Sequence, residues 1–213
     1  MNQVKIIKEN IWNITRTLTK IPLPPDFIIQ DRSIFKFYDG FIDISAYNEA
    51  IIALYYKDKP QEIIKFGVAP KRIDVEYIQR VGTDLIRTKE NRNILLEALI
   101  LSSIPLLKKG CSFTCEKIPF LKAMYDTSTR DPEKKFAYSR AHLKQELDIY
   151  TPIRDRYFTK DGILNFKKER VLSILNNYNI IRKKKTIEFP RISKLKEIKP
   201  SKKIKVRPKS RVL

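Results

Sequence analysis

Positive charge is concentrated in the last third of this 213-residue chain, and that limits which residues can form a hydrophobic core. Residues 151–213 contain 20 Lys and Arg against 5 Asp and Glu, whereas residues 1–150 contain 24 against 19. From Arg182 onward, 14 side chains are basic and 2 are acidic. Such a segment buries too little apolar surface to offset an ordering cost of about 1–2 kcal/mol per residue. We therefore predict a globular domain over residues 1–181 and a basic extended arm over residues 182–213.

The arm contains short alternating stretches, 186–189 and 203–207, separated by prolines. We expect it to become ordered on binding, with its cations on nucleic-acid phosphates and its apolar residues against a neighbouring protein subunit. The predicted nucleic-acid-binding residues are Arg182, Lys183, Lys184, Lys185, Arg191, Lys194, Lys196, Lys199, Lys202, Lys203, Lys205, Arg207, Lys209 and Arg211. A solubilising tail, a nuclear-localisation-like signal at 182–185 and an arm for acidic protein are the alternatives.

Apolar periodicity predicts that the globular domain is mainly α. Val4, Ile7, Ile11, Ile14 and Leu18 recur at steps of three and four, which is typical of an amphipathic helix, and a tryptophan flanks this stripe. The stretch from residue 94 to 107 is apolar on nearly all sides, so we expect a buried central helix that ends at the following lysines and glycine.

Weaker patterns predict the rest of the domain. Helices are expected from Ser45 to Lys57, from Pro70 to Leu85, from Asp131 to Tyr150 and from Phe166 to Tyr178. A short strand is expected at Ile34–Tyr38, and Asp161-Gly162 predicts a β-hairpin over Tyr157–Leu164. The predicted fold class is a mainly α, helical globular domain with a small β-hairpin and a basic extended C-terminal arm.

The residues that usually carry catalysis are few. His142 is the single histidine, and the two cysteines, Cys111 and Cys115, lie four apart, where a disulfide would be strained. No zinc-ligand spacing and no glycine-rich phosphate loop occurs. We therefore predict no metal, no cofactor, reduced thiols and no catalytic residues.

Carboxylates and aromatic residues leave two further possibilities. Asp39 with Asp43, Asp148 with Asp155, and Glu197 two residues before a lysine could belong to a metal-dependent nuclease, but none is predicted in a strand-rich setting. Aromatic residues near element ends could stack on bases if they are exposed, although core packing is the simpler expectation. These are Tyr38, Tyr55, Tyr56, Tyr150 and Tyr157.

The predicted function is that of a non-enzymatic structural component of a large nucleoprotein assembly, such as a virion part or a ribosome-like particle. Its expected partners are nucleic acid, bound without sequence preference, and neighbouring protein subunits. A DNA-binding regulator is the alternative, because helix 166–178 followed by basic residues has the order of a winged helix; a nuclease is third. The N-terminal residues 1–20 contain no uninterrupted apolar stretch of the kind found in a signal peptide, and no apolar run approaches the length of a bilayer span. We expect an intracellular (cytoplasmic) protein, or one packaged within a particle, not a secreted one.

Overall fold

The computed structural model describes residues 3–21, 23, 26–37, 40–43, 48–81, 93–131 and 138–184, with backbone alone at 34–37, 40–43 and 179–184. These residues form helices and two sheets. The helices are α1 (Gln3–Leu18), α2 (Ile94–Leu107), α3 (Lys117–Arg130), α4 (Arg140–Tyr157) and α5 (Glu169–Lys184). The strands are β1 (Phe27–Asp31), β2 (Ile34–Phe37), β3 (Gly40–Asp43), β4 (Glu49–Tyr56), β5 (Lys59–Ala69), β6 (Arg72–Arg80) and β7 (Ser112–Thr114).

The prediction of a mainly α fold is wrong, because a five-stranded mixed sheet forms the centre of the domain. Its strand order is β1-β4-β5-β6-β7, with antiparallel pairing throughout except between β6 and β7. β2 and β3 form a separate antiparallel pair. The domain therefore combines helices with a largely antiparallel sheet.

Two predicted helices are strands in the structure. Within their described parts, the segment predicted as helical from Ser45 to Lys57 forms β4, and the one from Pro70 to Leu85 forms β6. Both predictions rested on apolar residues about four apart, and four is also a multiple of the two-residue period of a strand. In β4 the alternating residues Ala50, Ile52 and Leu54 are buried, together with Ala53.

One face of the sheet is covered by α1 and α2. Ile52, Ile64, Phe66, Ile73 and Val75 point into this interface and are almost completely buried. The helix predicted for α1 is confirmed, with its isoleucine stripe and Leu18 in the core. The prediction for α2 is confirmed too: nearly all of its side chains are buried, and Gly110 has the positive φ expected after a helix end.

The later helices are shifted from their predicted positions. Asp131 ends α3, and α4 starts after Ser139, whose hydroxyl accepts the His142 backbone N–H. α4 then continues through Pro152. α5 starts three residues later than predicted and stays helical to Lys184, across the predicted domain boundary.

The predicted hairpin at 157–164 is reduced to a turn. Tyr157 ends α4, and the antiparallel pairing consists of an isolated bridge between Phe158 and Leu164. Gly162 has φ +73° and its carbonyl accepts the Cys115 N–H at 2.8 Å. A Cβ there would lie 2.4 Å from the Cys115 carbonyl oxygen, so glycine is required. The predicted strand at Ile34–Tyr38 is confirmed as β2, with Tyr38 itself outside the described residues.

Candidate nucleic-acid interface

α2 and α5 lie side by side and run in the same direction. Near the start of both helices, Arg170 of α5 pairs with Glu97 of α2. Near their other ends, the Lys108 ammonium lies 4.8 Å from the ring centroid of Tyr178. The C-terminal ends of the two helices therefore lie on the same side of the domain.

That side is basic. Lys108 and Lys109 follow α2 and are exposed, and α5 ends in Arg182, Lys183 and Lys184. Cations are favourable at helix C-termini, because the unpaired carbonyls carry partial negative charge. We call Lys108, Lys109 and the last turn of α5 (Arg182–Lys184) the basic pole. Within the described part of the chain, neither Lys108 nor Lys109 forms an ion pair.

The sequence-predicted binding residues coincide with the pole only at its α5 end. For Arg182, Lys183 and Lys184 the backbone is helical and the side chains lie outside the described residues. The remaining predicted residues, from Lys185 to Arg211, also lie outside the described residues. In the sequence, Lys108 and Lys109 indicate the end of a helix, and they are not among the predicted binding residues.

A buried polar cluster holds α5 in place. The Glu97 carboxylate is 1% exposed and accepts two hydrogen bonds from Arg170, Nε at 2.6 Å and Nη2 at 2.8 Å. It also accepts the Tyr157 hydroxyl at 2.7 Å, which ties α4 to the same point. Burial, followed by the nearby Glu97 charge, raises the pKa of Tyr157, so its hydroxyl stays a donor. This paired, bidentate geometry is that of a structural cluster.

A second buried carboxylate lies at the start of α2. Glu62 of β5 accepts the Leu95 backbone N–H at 2.9 Å, which satisfies one unpaired donor of the first helical turn. Burial raises the pKa of Glu62 from 4.5 to about 7, against the lowering effects of this hydrogen bond and of Arg80. Arg80 also donates to Asn93 Oδ1 at 2.6 Å.

The two described cavities do not suit a polyanion. A groove of about 440 Å³ between β6 and α4 contains Glu146 and Asp148 as well as Arg80 and Arg156. The other, of about 390 Å³, contains four carboxylates and is lined by Asn48, Glu49, Gly67, Val68, Ala69, Arg72, Asp74, Glu76 and Glu116. The acidic lining of the second cavity would repel phosphates, and the balanced lining of the first offers them no net attraction. The exposed basic surfaces are therefore better candidates.

The groups considered for catalysis do not converge. His142 lies at the exposed start of α4 and stacks on Tyr138, with ring centroids 5.3 Å apart. The Cys115 thiol is buried and, mainly for that reason, its pKa is raised to about 12, so no thiolate is available as a nucleophile. Both cysteines are free.

Of the carboxylates considered for a nuclease, Asp148 and Asp155 lie on α4, and Asp155 pairs with Arg154 at 2.8 Å. Asp39 and Glu197 fall outside the described residues, and Asp43 is described by its backbone in β3. In the described part of the chain, no three His, Cys, Asp or Glu side chains lie close enough to hold a metal ion.

The tyrosines near predicted element ends are less exposed than base stacking would require. Tyr150 and Tyr157 are buried, whereas Tyr55 and Tyr56 are half-buried. Among the described aromatic residues, Trp12 of α1 is the most exposed, at 56%, and it lies one helical turn from Lys8 and from Arg16. The position of Trp12 beside the isoleucine stripe is visible in the sequence, but Trp12 is not among the predicted binding residues.

Comparisons with protein-family models, curated proteins and solved structures found no match for this chain. Among the described residues, none of the helices combines the length and the apolar character needed to cross a bilayer.

Proposed function

We propose that this protein is a non-enzymatic structural component of a nucleoprotein assembly, such as a virion part or a ribosome-like particle. The folded domain docks in the assembly, and residues 182–213 contact nucleic-acid phosphates and neighbouring protein subunits. The basic pole is the observation that supports this proposal most directly. The predicted arm continues from a helix end that already lies beside two exposed lysines.

The charge distribution of the described domain also supports a surface-bound polyanion. Carboxylates on the sheet are paired with cations, as where Lys65 lies 2.6 Å from Glu49 and 2.7 Å from Glu76. Lys108 and Lys109 have no such described partner and keep their charge available. Phosphate neutralisation by such cations is independent of sequence and releases counterions, so binding should weaken steeply with salt.

The test is the salt dependence of binding by the full chain. Fluorescence anisotropy would follow labelled single strands of RNA and DNA, and duplexes, over a range of salt concentrations. Changing Lys194, Lys196, Lys202 and Lys203 to Gln should reduce the slope of log K against log salt by about 3 for single strands, because each lost phosphate contact contributes about 0.7.

A matched control removes the same charge elsewhere. Changing Lys59, Lys71, Lys144 and Lys160, all exposed on the domain, to Gln should leave the slope within about 1 of the unmodified protein. Equal slopes for the two variants would overturn the assignment to the arm. A preference of about a thousandfold for one duplex would favour the DNA-binding regulator instead. Strand cleavage that requires Mg²⁺ or Mn²⁺ would favour the nuclease.

A further inference from the structure

The inward face of α1 is fully used in packing. Ile7, Ile11, Ile14 and Leu18 are buried against α2 and the strands β4 and β5. The apolar side of this amphipathic helix is therefore not free to insert into a membrane surface, as the apolar side of an interfacial helix must.

The outward face of α1 is cationic and carries one aromatic ring. Lys5, Lys8, Trp12 and Arg16 are exposed, and so is Lys20, which follows the end of the helix. We call these five residues the α1 basic face. Glu9, three residues before Trp12, is exposed as well and is the one acidic residue of the helix. The spacing of four from Lys8 to Trp12 and from Trp12 to Arg16 places their side chains along one side of the helix.

Trp12 is unusually exposed to solvent for such a large apolar side chain. The guanidinium of Arg16 lies over the indole, 4.8 Å from its centroid, and 56% of the residue surface is still exposed. Within the described part of the chain, Lys5, Lys8, Arg16 and Lys20 form no ion pair. Along the helix, Lys8 and Arg16 therefore flank the ring, one turn away on either side, and neither is neutralised by a described carboxylate.

This combination fits one class of partner better than others. The centre of a protein interface is depleted of charge, whereas Trp12 has cations around it. A nucleic-acid duplex offers phosphates but keeps its bases stacked on each other. A single strand offers both phosphates and unstacked bases, the two groups that a basic surface with an exposed aromatic ring binds.

We propose that the α1 basic face is a stacking platform for single-stranded nucleic acid, with a base on Trp12 and the flanking phosphates on Lys5, Lys8 and Arg16. This inference deepens the proposed function, on which it rests, by naming the single strand as the ligand and by adding a site on the folded domain. Arg16 contributes both charge and a planar group beside the base.

The experiment uses the fact that Trp12 is the only tryptophan of the chain. Its emission, excited at the red edge where tyrosines do not absorb, reports on this face alone. An unlabelled oligouridine or oligothymidine should quench the emission in step with binding, which is followed in parallel by anisotropy of a labelled strand. A duplex of the same length should bind with little quenching.

Substitution gives an independent readout. Trp12→Ala should weaken single-strand binding at least about fivefold, because stacking on an aromatic side chain contributes that much or more per base. Duplex binding should change less than about twofold, since its phosphates do not depend on the ring. Phe120→Ala is the matched control: Phe120 is 52% exposed on α3 and its loss should leave both affinities unchanged.

The outcomes separate this inference from the proposed function. Strand binding by anisotropy with unchanged tryptophan emission overturns the platform and leaves the arm as the binding site. Absence of binding even at low salt overturns the proposed function as well. Quenching of equal depth by poly-glutamate, or by vesicles of anionic phospholipid, shows that charge alone or a lipid surface is recognised and overturns base stacking.

Discussion

Charge serves two different purposes in this molecule, as a comparison of the Glu97 cluster with the α1 basic face shows. In the cluster, the carboxylate is 1% exposed and its hydrogen-bond partners lie within 2.8 Å. On the α1 basic face, the cations are exposed and form no ion pair with a described residue. One region neutralises its charge internally and the other presents it to the outside.

The difference follows from the cost of removing a charge from water. A buried carboxylate must be paired and hydrogen-bonded, or the fold is destabilised by several kcal/mol. An exposed lysine has no such requirement, and pairing it with a surface carboxylate would gain about 1 kcal/mol at most. Surface cations without partners therefore contribute little to folding, which leaves their charge for an external ligand.

The largest expected effect comes from breaking the buried pair. In an Arg170→Met variant, Glu97 would stay buried and, of the donors described above, would keep the Tyr157 hydroxyl alone. The free energy of unfolding should therefore fall by about 3 kcal/mol or more. Urea unfolding measures this. Adding Glu97→Gln should restore much of the loss, because the amide is neutral and still accepts the tyrosine hydroxyl.

A surface pair of the same chemistry is the control for this prediction. Arg154 pairs with Asp155 on α4, where the Asp155 side chain is 59% exposed. Arg154→Met should cost less than about 1 kcal/mol. Equal losses for the two arginine variants would contradict the distinction between buried and exposed charge.

A pH dependence of nearly the same size is expected from Glu62. Its pKa is raised from 4.5 to about 7 in the folded protein, so the fold favours the protonated form. The resulting stability is fully present below pH 4.5 and is lost as pH rises to about 7, a change of about 3 kcal/mol.

Urea unfolding at a series of pH values across this window checks the Glu62 prediction. Glu62→Gln should flatten the fall in stability, because the amide stays neutral. Glu169→Gln, at an exposed position of α5, should retain it. An unchanged pH profile in the Glu62 variant would show that another group controls stability in this window.

A smaller loss is expected at the edge of the sheet. β7 pairs with β6 only from Arg72 to Asp74, and further along this edge the Ile78 N–H donates to the Tyr150 hydroxyl at 3.0 Å. Tyr150→Phe leaves that buried donor without its acceptor and should cost about 1–2 kcal/mol. Tyr138→Phe, at an exposed ring, should be neutral. Faster hydrogen exchange at Ile78 in the Tyr150 variant, and not in the control, would locate the effect.

The helices α1 and α2 could be predicted from the sequence, whereas the five-stranded sheet could not. The isoleucine stripe of α1 and the uniformly apolar α2 each have one structural solution. The spacing of Ile73, Tyr77 and Val81 is compatible with both helix and strand, and the pairing of β6 with β5 decides between them. The turn between β4 and β5 has Lys57 and Asp58 at positive φ, without the glycine that usually marks such a hairpin.

The two candidate binding sites, the basic pole and the α1 basic face, were also only partly predictable from the sequence. The basic arm is a prediction from composition alone, whereas the parallel arrangement of α2 and α5, which brings Lys108 and Lys109 to the same side of the domain as the end of α5, depends on tertiary packing. The outward orientation of Trp12 could be predicted from the sequence, because a residue opposite a buried stripe must face outward. Its exposure, and the position of Arg16 over its ring, needed the structure.

The smallest expected effect on stability lies on the α1 basic face. Lys5→Gln and Lys8→Gln together should change the free energy of unfolding by less than about 0.5 kcal/mol, since neither ammonium has a described partner to lose. The same pair should weaken single-strand binding and lower its salt slope by about 1.4, at about 0.7 per phosphate contact. Urea unfolding and anisotropy on the same protein measure both quantities. A clear loss of stability with unchanged binding would reverse the roles assigned to the two regions, because the lysines would then support the fold and not the ligand.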